Sequence, residues 1–306
     1  MNRPVAFLFP GQGSQRVGML EAVPATEDVH RLVDAAEALS CVDLGQIAAH
    51  GPDEALADTR AAQPLLYLAD WAWARALESA GISPSVVAGH SLGEYAALAF
   101  AGVFSVEAGL ELVSERARLM AAAAEDAPGG MVAVLGLESA DVRALVEPIG
   151  GVWVANDNAP GQVVLTGTHT GIERATHALT EAGARRVVPL NVAGAFHSPL
   201  MEPAAREFAA ILGSAQFADA RMPVVQNAVP EPTRDAQEIR DRLAAQMTAP
   251  VRWVETMEAI ASLGISTVVE SGPGAVLSGL ARRYEGVEGL SAETLGVHRI
   301  AEVIGV

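Results

Sequence analysis

Val86-Val87-Ala88 runs directly into Gly89-His90-Ser91-Leu92-Gly93, and helical sequence follows from Leu92 to Ala101. No other segment restricts the fold as tightly. A short apolar strand, Ser85 to Ala88, must end in a turn sharp enough to start a helix within a few residues. The two glycines permit that turn because they carry no Cβ to clash. A G-x-S-x-G turn leaves its serine strained and exposed at the end of a sheet. The start of the helix then aims free N–H groups at the same point, where a negative oxygen can be stabilised. The bland alternative is a glycine-rich turn with an idle serine.

The remaining pattern fits such a sheet. Val5 to Phe9 reads as a strand ending at Pro10-Gly11-Gln12-Gly13, and segments 26–40, 61–80 and 106–125 read as helices. Thr267 to Glu270 reads as the last buried strand, ending in Ser271-Gly272-Pro273-Gly274. Short apolar runs alternating with longer periodic segments predict an α/β fold with a mostly parallel sheet. In the middle, Pro128-Gly129-Gly130 breaks the chain. Beyond it the pattern gives a strand at Met131 to Leu135, a helix at 138–148 and a strand at Val152 to Ala155. A turn at Asn156-Asp157-Asn158-Ala159-Pro160-Gly161 leads to a strand at Val163 to Thr166, a helix at 170–182 and a strand at Arg186 to Val192. That β-α-β-β-α-β order is ferredoxin-like. Residues 127–193 therefore read as a small inserted domain within a larger one made of 1–126 and 194–306, which suits a chain of 306 residues.

Charge removes several function classes. Acidic residues number 37 against 20 basic ones, a formal net charge of −17, and every basic residue is Arg. Nucleic-acid binding needs a basic face for phosphate, and anionic membranes ask for the same. Cys41 is the only cysteine. It has no disulfide partner or metal-ligand spacing and reads as a small buried hydrophobe. The apolar run Val5 to Phe9 is too short for a signal-peptide core, and Ala96 to Val106 is about half a membrane span. The expectation is a soluble cytoplasmic protein with no metal and no cofactor. Gly11-x-Gly13 follows a strand, but Arg16 occupies the third position of the dinucleotide fingerprint, so that reading fails.

A serine needs a base to take its proton. Of seven histidines, His197 sits in Gly194-Ala195-Phe196-His197-Ser198-Pro199, a small-residue loop between a strand and a helix. It is either the base or a buried, satisfied histidine. His90, beside the serine, is expected to point away from it, and His30, His169, His177 and His298 read as solvated. On the 106–125 helix, Arg116 has Leu112, Val113, Leu119 and Met120 at three and four residues, so it faces the core. Arg118 has Ser114 and Glu115 there, and faces solvent paired with Glu115. A core guanidinium stays charged and needs an anion. Either an internal Asp or Glu supplies it, or Arg116 is a bidentate clamp for a substrate carboxylate.

These motifs together resemble the malonyl-CoA:acyl carrier protein transacylases, and more broadly the acyltransferase domains of fatty-acid and polyketide synthesis. The resemblance covers nearly the whole chain. It rests on Phe9-Pro10-Gly11-Gln12-Gly13-Ser14-Gln15, Gly89 to Glu94, Arg116, Asn156 with Pro160-Gly161-Gln162, Ala195 to Ser198, Gln246 and Gly272-Pro273-Gly274. It implies an α/β-hydrolase-like core with a ferredoxin-like insert. It implies Ser91 as the acylated nucleophile, His197 as its base, and an oxyanion hole from the N–H groups of Gln12 and Leu92. Arg116 would bind the malonyl carboxylate, Gln246 would lie where the histidine is oriented, and Asn156 would contact substrate. Phe196 would crowd an α-methyl group and favour malonyl over methylmalonyl. Malonyl-CoA and a phosphopantetheinylated acyl carrier protein would be the partners. Arg185-Arg186 and Arg282-Arg283 are candidate basic patches for them. An acyl hydrolase, which has no use for a carboxylate clamp, and an idle docking subunit are the rival readings.

Overall fold

A computed structural model describes residues 3–24, 27–40 and 42–306, so Cys41 lies outside it. Nine strands form two sheets among the described residues. The first is wholly parallel and runs β7 (Val224–Val225), β2 (Val86–Gly89), β1 (Val5–Phe9), β8 (Thr267–Glu270), β9 (Glu288–Ser291). The second is antiparallel and runs β4 (Val152–Ala159), β5 (Gln162–Thr168), β3 (Gly129–Leu135), β6 (Arg186–Pro189). With helices Ser139–Val146 and His169–Glu181 between its strands, the second sheet has the ferredoxin-like connection order. The α/β fold with a parallel sheet and a smaller subdomain is as the sequence indicates.

Strand periodicity divides the core. Val5, Phe7 and Phe9 pack with Leu65, Leu98, Phe100 and Leu119 from three helices on one face of the parallel sheet. Ala6 and Leu8 point the other way, onto Trp253, Met257, Leu277 and Leu280. In the antiparallel sheet Val132, Val134, Val163 and Leu165 pack against that sheet's own two helices. The alternate residues of the same strands, Met131, Ala133 and Val164, face the parallel-sheet domain. No helix of the described residues is long and apolar enough to cross a membrane.

Several expected boundaries change. The polar run Asn156 to Ala159 is strand, not turn, and only Pro160-Gly161 reverses the chain. The ladder to β5 shifts register twice there. The polar side chains still find partners: Asp157 accepts from Ser139 Oγ and pairs with Arg143, and Asn158 meets His90. Asp157 N and Val251 N add main-chain bonds to Val251 O and Ala155 O, stitching β4 to the other domain. Gly129 and Gly130 open β3 instead of breaking the chain, because Gly129 lies against Gly167 O, where a Cβ would come within 2.4 Å. β6 ends at Pro189, three residues early. Thr267–Glu270 is not the last strand: β9 follows at the sheet edge, where Glu288-Gly289 hides it from an apolar-run reading.

Candidate active site

β1, β2 and β8 all point their C-terminal ends at one place, and the helix Gly93–Phe100 starts there. The turn between β2 and that helix is possible only without side chains at its flanks. A Cβ on Gly93 would lie 2.0 Å from Phe9 O, and one on Gly89 would lie 2.0 Å from the Gly93 carbonyl carbon. Ser91 between them adopts φ 51°, in the left-handed region. His197 is the other non-glycine residue with positive φ, at 55°, among those described. Such backbone costs on the order of 1–3 kcal/mol and tends to mark functional sites.

Ser91 Oγ lies 2.8 Å from His197 Nε2. His197 Nδ1 faces two main-chain carbonyls, Gln246 O at 3.1 Å and Ala249 O at 3.0 Å. Nδ1 therefore carries the proton, and Nε2 is free to accept one. Among the described residues no carboxylate bonds to the imidazole. Burial pushes the His197 pKa down to about 3, with the Arg116 charge and His90 adding to the effect and the two carbonyls opposing it. The resting imidazole is neutral.

Arg116 is 1% exposed. Its Nη2 donates to Ser91 Oγ at 3.1 Å and to Gln246 Oε1 at 3.1 Å, and its Nη1 donates to Gln63 Oε1 at 2.6 Å. The guanidinium also lies 5.3 Å from the centre of the Tyr95 ring. Among the described residues it makes no direct ion pair, although the buried Glu94 carboxyl is near enough to act on its charge. Arg118 pairs with Glu115, as periodicity indicates, and with Glu207 as well.

A cavity of about 420 Å³ opens over Ser91. Gln12, Leu92, Arg116, Asn156, Phe196 and His197 all line it. Neither Gln12 N nor Leu92 N has a hydrogen-bond partner among the described residues. Gln246 does not line the cavity but braces it from below: its side-chain Nε2 donates to Ser91 O at 2.9 Å, and its main chain orients His197. His90 turns away from the Ser91 hydroxyl, towards Asn158. It lines the same cavity, half-buried, with Nε2 2.8 Å from Asn158 Oδ1 and its ring 5.2 Å from that of Trp253. The sharp turn lets both neighbours face one space. His30, His169, His177 and His298 are exposed, as read.

Sequence reasoning missed what holds the turn. Asn227 Oδ1 accepts from Ser91 N at 2.6 Å, and its Nδ2 donates to Gly89 O at 2.6 Å, so one side chain pins both sides of the serine. Glu94, fully buried, takes Asn227 N at 2.7 Å and Gln226 Nε2 at 3.0 Å. Burial raises the Glu94 pKa to about 7, against those hydrogen bonds.

Known proteins match this chain over almost all its length. The acyl transferase domain family matches residues 6–299. The malonyl CoA-acyl carrier protein transacylase of Bacillus subtilis is 38% identical over 287 residues, covering 91% of this chain and 90% of that protein. The solved malonyl CoA-acyl carrier protein transacylase of Coxiella burnetii matches with a TM-score of 0.93 at 35% identity, over 100% of this chain and 98% of that one. A malonyl-transacylase solved in complex with its type II polyketide acyl-carrier protein matches with a TM-score of 0.91 at 35% identity, over 99% of this chain and 100% of that one.

Proposed function

We propose that this chain, which belongs to the malonyl-CoA:acyl carrier protein transacylase family and is an acyltransferase, moves a malonyl group in two steps through a malonyl-Ser91 ester. Malonyl-CoA is the donor, and the phosphopantetheine thiol of an acyl carrier protein is the acceptor. In the first step Ser91 Oγ attacks the thioester carbonyl and gives its proton to His197 Nε2. The oxyanion is received by the N–H groups of Gln12 and Leu92; one such donor is worth about 10²–10³ in rate. The C–S bond breaks, and CoA leaves with the proton from His197. In the second step His197 takes the carrier thiol's proton. The thiolate sulfur attacks the ester carbonyl, and Ser91 Oγ leaves and recovers the proton.

One observation carries the malonyl reading: a buried guanidinium, bonded only to neutral groups, 3.1 Å from the serine hydroxyl. A neutral acyl chain would leave that guanidinium without a directly bonded anion, and a terminal carboxylate supplies one. Phe196, on the cavity wall, crowds an α-methyl substituent. Asn156 contacts the substrate from β4. Arg185, Arg186, Arg282 and Arg283 are exposed and free of ion pairs among the described residues, which suits an acidic carrier despite the chain's −17.

Intact-mass analysis after mixing with malonyl-CoA tests the reading. A covalent malonyl adduct is expected, absent in Ser91→Ala and discharged by carrier-protein thiol. Discharge to water alone would make the chain an acyl hydrolase.

A further inference from the structure

Gln63 and Thr59 have no role in the reaction as written, yet they join the two groups assigned to opposite ends of the acyl group. Both lie on the first turns of the helix Thr59–Ser79, four residues apart and on one face, and both are 1% exposed. Arg116 Nη1 donates to Gln63 Oε1 at 2.6 Å, and Gln63 Nε2 donates to Thr59 Oγ1 at 2.9 Å. Thr59 Oγ1 then donates to Gln12 Oε1 at 3.0 Å, and Gln12 Nε2 ends the chain on Ala57 O at 3.3 Å. Every donor points the same way, from the guanidinium to the Gln12 loop.

Each end of this chain has a physical need for it. Arg116 must be oriented without being neutralised. An amide oxygen does that, whereas a carboxylate at position 63 would form an ion pair with the guanidinium and neutralise it. Gln12 lies between Gly11 and Gly13, the latter at φ 110°, so its backbone has little stiffness of its own. What fixes its N–H is its side chain, held at Ala57 and Thr59.

We propose that Gln63 and Thr59 are positioning residues that hold Arg116 and the Gln12 N–H at one fixed separation, a gauge for a three-carbon acyl group ending in a carboxylate. The proposal rests on the roles given to Arg116 and Gln12 above. A succinyl group, one methylene longer, then fails to place its carboxylate and its carbonyl oxygen on both groups together.

The test is single-turnover acylation of the full chain by malonyl-, succinyl- and acetyl-CoA, read by intact mass. Thr59→Val keeps the shape and removes the hydroxyl. It is expected to slow malonyl acylation by about 10-fold or more and to narrow the malonyl-to-succinyl preference by a similar factor, since small misplacements carry large rate penalties. The malonyl-CoA KM stays nearly unchanged, and Thr59→Ser restores both rate and preference. Gln63→Glu is expected to lower the malonyl-to-acetyl ratio by about 10-fold or more, because it pairs with Arg116 in place of substrate. If Thr59→Val does not fold, Thr59→Ala carries the same expectations. A valine variant with wild-type rate and preference, or a serine variant that fails to restore them, overturns the proposal alone. A wild-type chain that forms no malonyl adduct overturns the site reading and the proposal with it.

Discussion

The two sheets meet the same cavity with different chemistry. The parallel sheet delivers its strand ends: β1 runs into Gln12, β2 into Ser91, and the helix beyond carries Leu92 at its start. The antiparallel sheet offers its face: Met131 and Ala133 from β3, Val164 from β5. One side brings strained backbone, free N–H groups and a buried charge. The other brings apolar shape, plus two asparagines where β4 departs from regular pairing. Polar chemistry collects at strand ends because main-chain groups there lack ladder partners. A sheet face has none to offer.

The sharpest way to break this contrast is to remove the proposed base on the parallel-sheet side. His197→Ala is expected to slow acylation by about 10⁴ or more, and a loss under tenfold in single-turnover rate would detach the imidazole from the chemistry. Arg116→Ala comes next. A buried, hydrogen-bonded charge contact is worth about 2–5 kcal/mol, so malonyl acylation should fall by roughly 30- to 5,000-fold relative to acetyl. Equal loss for both acyl groups would make Arg116 a structural residue. Asn227→Ala leaves Ser91 N and Gly89 O unpaired at about 1–3 kcal/mol each. Loss of acylation rate by about 10- to 100-fold is expected, with the malonyl-to-acetyl ratio unchanged.

Proton linkage gives a further separation. His197 is held near 3 against an ordinary 6.5, so between those values the unfolded chain binds the extra proton. Its contribution to stability is complete above pH 6.5 and falls by roughly 1.4 kcal/mol per pH unit as the solution is acidified towards 3. Denaturant melts of the protein and of His197→Asn at pH 7 and 5 should therefore diverge, with the variant losing less. Parallel loss would place the acid sensitivity elsewhere. The smallest effect on chemistry is expected from the far side of the antiparallel sheet. Leu165→Ala should cost about 2–5 kcal/mol of stability while the folded fraction keeps kcat/KM within about threefold. A larger kinetic loss would mean that this sheet does more than shape the cavity.

Where the sequence was readable, a local rule sufficed. Glycines on both sides of Ser91 announce the turn, and the 3.6-residue period separates Arg116 from Arg118. What it hid depends on contacts between distant positions. Asn227 reaches Ser91 across 136 residues from a loop with no pattern. Thr59 and Gln63 look like ordinary helix residues until Gln12 and Arg116 arrive beside them. β4 was misread past Ala155 because Asn and Asp favour turns, and nothing local reveals that Ser139, Arg143 and His90 will satisfy them. β9 is short, carries a glycine and has an exposed glutamate at its start, so it lacks the signature of a buried strand.

Ser91 and His197 both hold a backbone conformation that glycine would adopt without steric strain. At these two positions a sturdier fold and a working acyl transfer demand different residues, and no single substitution serves both. A lineage freed from the need to transfer acyl groups would therefore be expected to drift towards glycine here first. Glycine at either position is thus a marker, readable in a relative's sequence alone, that the scaffold has outlived its reaction.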